Sequence, residues 1–135
     1  MIKYLLDTNI VIFTIKRRPA ALLPKFNQHA DQLAISTITL AELVFGAEKS
    51  MNPERNLAVV NDFVSRLCVL PYDEAAACHY GDIRANLEKQ GKKIGENDLH
   101  IAAHARSKGL IVVTNNTREF ERVDGLRLED WVNLS

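Results

Sequence analysis

The hydrophobic positions along the chain follow two rhythms. Short, nearly unbroken apolar runs stand at residues 2–6, at Leu33-Ala34-Ile35, at Cys68-Val69-Leu70 and at Leu110-Ile111-Val112-Val113, with a last short one at Leu126-Arg127-Leu128. Runs of this length, rich in aliphatic residues and bounded by polar or turn residues, predict buried strands. Between them lie longer stretches with helical spacing. Residues 8–17 and 20–29 predict helices, the second preceded by Pro19. Residues 38–49 carry Leu40, Leu43, Val44 and Ala47 at helical spacing. Pro53 sits where a first turn begins, and 54–67 sets Leu57, Val60, Phe63, Val64 and Leu67 on one stripe. Residues 74–90 and 97–108 predict two more helices, stopped by Gly91 and Gly109.

Strands separated by helices imply crossover connections and a parallel sheet covered on both faces. The expected fold is therefore α/β, a three-layer α/β/α sandwich around a short-stranded parallel sheet. At 135 residues, without a repeat or linker, the chain is expected to form one domain, 1–135. Lys plus Arg and Asp plus Glu both count 17, which argues against nucleic-acid binding through bulk charge alone. A nuclease with an acidic site and local basic patches stays open. The basic clusters are Lys16-Arg17-Arg18, Lys89 with Lys92-Lys93, Arg106 with Lys108, and Arg118 with Arg122. Any one of them reads first as a solvated face. No apolar run approaches a membrane span, no signal core opens the chain, and Cys68 and Cys78 lack metal-type spacing. A reduced, cytoplasmic protein is expected.

Acidic and polar residues stand where the apolar strands stop. Asp7 ends the first strand, and Thr114-Asn115-Asn116-Thr117-Arg118-Glu119 follows the strand at 110–113. In open α/β sheets, ligands bind beyond the carboxyl ends of the strands. Glu42 and Asp98 lie early in helices, so one crevice can gather all of these positions. Carboxylates in one pocket repel each other, and a divalent cation compensates them. Mg²⁺ prefers carboxylate oxygens, keeps several waters and bridges to substrate phosphate. It can activate water for phosphodiester hydrolysis.

Each acid also has a simpler role open to it. Asp7 or Thr8 can cap the helix that follows. Thr39-x-x-Glu42 matches a capping box, which the local pattern favours for Glu42. Asn97 and Asp98 are cap residue types. Helical geometry nevertheless puts Asp98 on the apolar face with Ile101, Ala102 and Ala105, at about 100° per residue. His100 and His104 form an i,i+4 pair of the kind that holds zinc, but His100 lies roughly 200° around the helix from Asp98. No third ligand accompanies the pair. No Gly-x-Ser-x-Gly, P-loop or GxGxxG occurs.

Four segments, Leu6-Asp7-Thr8-Asn9, Thr39-Leu40-Ala41-Glu42-Leu43, Gly95-Glu96-Asn97-Asp98-Leu99 and Val113-Thr114-x-Asn116-Thr117-Arg118-Glu119-Phe120, together resemble the PIN-domain ribonucleases. They are most similar to the VapC toxins of bacterial toxin–antitoxin pairs. The ending Gly125-Leu126-Arg127-Leu128-Glu129-Asp130-Trp131 resembles VapC enzymes that cut initiator tRNA. The resemblance implies a PIN fold and an endoribonuclease acting in the anticodon region of that tRNA. It further implies Mg²⁺, with Mn²⁺ as a substitute, a homodimer and an inhibitory VapB antitoxin. Asp7, Glu42 and Asp98 match the family's metal-site acids, and Thr8 and Asn9 its supporting polar pair. Where many members carry a fourth acid, this chain has Thr117, preceded by Asn116. Either Glu119 supplies the acid, or Asn116 and Thr117 bind water or phosphate. A DNA or flap nuclease and a non-catalytic binding module are the alternative functions.

Overall fold

The computed structural model describes residues 1–132. Five parallel strands form one sheet in the order β3-β2-β1-β4-β5. The strands are β1 (Tyr4–Leu6), β2 (Leu33–Ser36), β3 (Cys68–Leu70), β4 (Ile111–Val113) and β5 (Arg127–Glu129). The helices are α1 (Thr8–Lys16), α2 (Leu22–Gln28), α3 (Thr37–Glu48), α4 (Pro53–Val64), α5 (Glu74–Lys89), α6 (Glu96–Lys108) and the one-turn α7 (Thr117–Phe120). A short 3₁₀ turn, Ala30–Gln32, precedes β2. The apolar run at 2–6 yields a strand only from Tyr4. The 3₁₀ turn and α7 carry too few residues to show a periodicity.

Alternation along the strands sorts the core into two layers. Tyr4, Leu6, Leu33, Ile35, Ile111 and Val113 pack with Ile10 and Val11 of α1, Leu22 of α2, Leu43 of α3 and Val60 of α4. Leu5, Ala34 and Val112 face the other way, onto Ile83 and Leu87 of α5, Ile101 and Ala102 of α6, and Phe120 of α7. The first four helices thus cover one face and the last three the other. From β1 the chain steps to β2 and β3 on one side, then returns to β4 and β5 on the other. That reversal makes the boundary between β1 and β4 the topological switch point, where open α/β sheets place ligands. Among the described residues, no helix is long and apolar enough to cross a membrane. Cys68 and Cys78 are both free thiols.

Candidate active site

Asp7 leaves β1 at the switch point and is only 2% exposed. It occupies the N-cap position of α1, yet its carboxylate makes no cap hydrogen bond. Instead Oδ2 accepts a 2.8 Å bond from the Thr114 hydroxyl, which follows β4. The same Thr114 oxygen accepts the backbone N–H of Asn116 at 2.9 Å. Thr114 is fully buried, so a relay from Asn116 through Thr114 to Asp7 joins the two strand ends. Burial pushes the Asp7 carboxyl above the usual carboxylate range, against the hydrogen bond from Thr114.

Glu42 reaches the same place from α3. The N-cap of α3 is Ser36, whose hydroxyl accepts from Ile38 N–H, so the expected capping box does not form. Thr39 and Glu42 lie inside the helix and meet α1 instead. The Thr8 hydroxyl donates to Glu42 Oε1 at 2.6 Å and lies 3.1 Å from the Thr39 hydroxyl. A hydroxyl has one proton to give, so Thr39 donates into Thr8. Thr8 therefore aims Glu42, and the charge on Glu42 contributes to the rise at Asp7. Asn9 departs from expectation: its side chain is exposed and makes no hydrogen bond among the described residues, and only its backbone amide bears on Asp7.

Asp98 arrives from the opposite layer. α6 begins at Glu96 with Gly95 as N-cap, which leaves Asp98 in the first turn without a capping duty. Asn116 Nδ2 donates to Asp98 Oδ2 at 3.0 Å and to Glu119 Oε2 at 2.6 Å. Glu119 Oε1 accepts the Gly95 N–H at 3.0 Å. Asn116 thus spans two acids rather than standing in for one. Asp98 is pushed up to about 7 by burial, then by the charge on Asp7 and by Glu119. Glu119 goes the other way, held low chiefly by the Asn116 amide. Thr117 opens α7 but its hydroxyl bonds to none of these acids.

The structure therefore brings together Asp7, Glu42, Asp98, Glu119, Thr8 and Asn116, and leaves Asn9 and Thr117 aside. It adds two hydroxyls, Thr114 and Thr39, that sequence reasoning did not single out as site residues. Thr114 stands beside Asp7 only through the pairing of β1 with β4; the signals available were its position directly after an apolar strand and its place in the segment Val113-Thr114-x-Asn116. The histidine pair plays no part. His104 is fully buried and joins Ser36 through Nδ1 at 2.8 Å, while His100 meets the Tyr72 hydroxyl at 2.9 Å.

None of the four carboxylates forms a salt bridge with Lys, Arg or His among the described residues. Their oxygens are hard donors, and burial, with repulsion among the acids, raises Asp7 and Asp98 against the hydrogen bonds from Thr114 and Asn116. Among the described residues, no three His, Cys, Asp or Glu side chains are gathered closely enough to cage an ion. Mg²⁺ does not require such a cage. It is commonly held by one or two carboxylates, with waters and substrate phosphate filling the remaining positions. The donor set suits that mode.

Comparison with known proteins agrees with this geometry. Residues 4–126 match the PIN domain family model. The chain is 64% identical over 132 residues to Ribonuclease VapC2 of Haemophilus influenzae, covering 98% of this chain and 100% of that one. It is 62% identical over 131 residues to the tRNA(fMet)-specific endonuclease VapC of Shigella flexneri, covering 97% and 99%. In structure it is similar to a chain of the DNA-bound VapBC from Salmonella typhimurium, with a TM-score of 0.93, 57% identity and coverage of 97% and 99%. A chain of VapBC2 from Rickettsia felis, bound to a promoter fragment, gives a TM-score of 0.90 at 39% identity, with coverage of 97% and 99%.

Proposed function

The chain belongs to the PIN-domain family and, within it, to the VapC ribonucleases; from that premise we propose that it cuts initiator tRNA in the anticodon region under the control of a VapB-type antitoxin. It is a nuclease of the hydrolase class. The observation that carries the reading is the convergence of Asp7, Glu42, Asp98 and Glu119 at the switch point, none of them salt-bridged by a basic side chain among the described residues. A DNA or flap nuclease and a non-catalytic module find no comparable support.

In this reading Asp7, Asp98 and Glu42 would hold Mg²⁺ or Mn²⁺, one or two of them directly and the rest through water, and Glu119 completes the acidic set. The ion, when bound, neutralises charge on the phosphate and lowers the pKa of water. The chain's own groups prepare the site. Thr114 and Thr8 lock Asp7 and Glu42 into single orientations. Asn116 bridges Asp98 and Glu119 by donating to both. Asp98 is pushed up to about 7 by burial and by the acids around it, and a bound cation would favour its charged form. We further propose a homodimer acting in the cytoplasm, where the free Cys68 and Cys78 stay reduced.

The test is to incubate the purified protein with total small RNA and sequence the new ends, with and without EDTA. New ends confined to the anticodon loop of initiator tRNA, and absent with EDTA, are expected. Undiminished cleavage by Asp7→Asn, or in EDTA, would refute the site.

A further inference from the structure

A cavity of about 520 Å³ lies beside α5, the 91–95 loop and the start of α6. Leu87, Ile94 and Leu99 give it apolar walls, and Arg84, Lys92 and Lys93 give it basic ones. We propose that this cavity is a subsite for a nucleotide flanking the cut in the RNA substrate, with Lys92 and Lys93 holding a backbone phosphate. The inference rests on the ribonuclease reading above and extends it to substrate positioning.

Three observations carry it. First, the lysine loop is built onto the acidic site. Gly91 turns the chain out of α5 at φ 68°, and Lys92 N–H bonds back to Leu87 O at 2.9 Å. Gly95 N–H then bonds Glu119, and Arg122, one turn beyond Glu119, donates to the carbonyl of Lys93. Second, the charge in the cavity is unevenly spent. Glu88 is taken by Arg84 at 2.8 Å, and Glu96 accepts from the Tyr80 hydroxyl at 2.5 Å. The ammonium groups of Lys92 and Lys93 have no carboxylate partner among the described residues. Third, the cavity and the acids share the first turn of α6: Glu96 and Leu99 border the cavity, and Asp98 between them bonds Asn116 at the acidic site. A volume near 520 Å³ is within the ordinary range for small-ligand pockets, about 300–1,000 Å³.

The experiment measures binding of a fluorescent anticodon stem-loop RNA by anisotropy across a range of salt concentrations. Asp7→Asn serves as the background so that RNA stays intact, and the wild type in EDTA serves as a second. Adding Lys92→Ala and Lys93→Ala together is expected to weaken binding several-fold and to flatten the salt slope by about 0.7, the share of the one phosphate that the pair holds. Lys49→Ala, at the C-terminal end of α3 and outside the cavity, should leave the slope as it was. An unchanged slope in the double variant, while the wild type still cleaves RNA, overturns the subsite alone. An equal loss from Lys49→Ala overturns it too, because a general field would then explain the effect. If neither background binds RNA and the wild type cuts none, the ribonuclease reading fails and takes the subsite with it.

Discussion

At the N-terminal end of α6, Asp98 is pushed up to about 7 by burial and by neighbouring acids. At the other end, Lys108 bonds Asp73 at 2.6 Å and holds it below the usual carboxylate range. Arg106 beside it bonds Asp82 at 2.6 Å, His79 at 2.8 Å and the carbonyl of Asp124 at 3.0 Å. The helix dipole favours anions at its start and cations at its end, so it assists both arrangements. Asp98 nevertheless rises, which means that desolvation and repulsion outweigh the dipole. Charge at the C-terminal end is balanced and ties α6 to α5. Charge at the N-terminal end is left unbalanced, a mark of a functional site when it stands at a switch point.

The sharpest way to break this contrast is to neutralise each end in turn. Asp7→Asn or Asp98→Asn should lower kcat/KM on RNA by at least about 100-fold, since even the partners that orient metal ligands are worth roughly 10–100-fold. Lys108→Ala should cleave near the wild-type rate. A similar loss from both ends would dissolve the distinction.

Thr114→Val tests the relay. It preserves shape, removes the hydroxyl that holds Asp7, and should cost roughly 10–100-fold in kcat/KM together with weaker Mn²⁺ binding followed by titration. Wild-type behaviour would show that Asp7 needs no orienting partner.

Stability should respond oppositely at the two ends. The folded pKa of Asp98 lies above its unfolded value, so its contribution is complete at acid pH and disappears as pH rises through about 7. In EDTA, Asp98→Asn should therefore melt a few degrees above the wild type at pH 8, with the gap closing towards pH 4. Mn²⁺ should raise the wild-type Tm and leave the variant nearly unmoved. A lower Tm for the EDTA-treated variant would argue against crowded carboxylates. The smallest effect belongs to Asp73. Its folded pKa is depressed, so its contribution exists at neutral pH and is lost as acid protonates it. Asp73→Ala removes both the Lys108 pair and the Ala76 N–H cap, so it should lower Tm at pH 7, with the gap narrowing as acid protonates the carboxyl, by calorimetry.

The chain alone determined where the elements lie. Apolar rhythm is local, and all five strands, β5 within a residue of the run at 126–128, and six of the helices were legible to within a few residues. It also marked Asp7 and Asp98, because a carboxylate after a strand, or on the apolar face of a helix, conflicts with its neighbours in a visible way. Glu42 was ambiguous: Thr39 is three residues before it and invites a cap, whereas its actual partner, Thr8, is 34 positions away. The bond from Thr114 to Asp7 spans 107 positions and exists only because β1 and β4 pair in parallel with Leu6 opposite Val113. The bridging of Asp98 and Glu119 by Asn116, and the placing of the Asn9 and Thr117 side chains away from the four acids, were likewise decided by tertiary structure. Hydrophobic burial is roughly proportional to area and can be read residue by residue. A hydrogen bond demands a partner within about 3 Å at a set angle, and strand register and helix docking alone supply it.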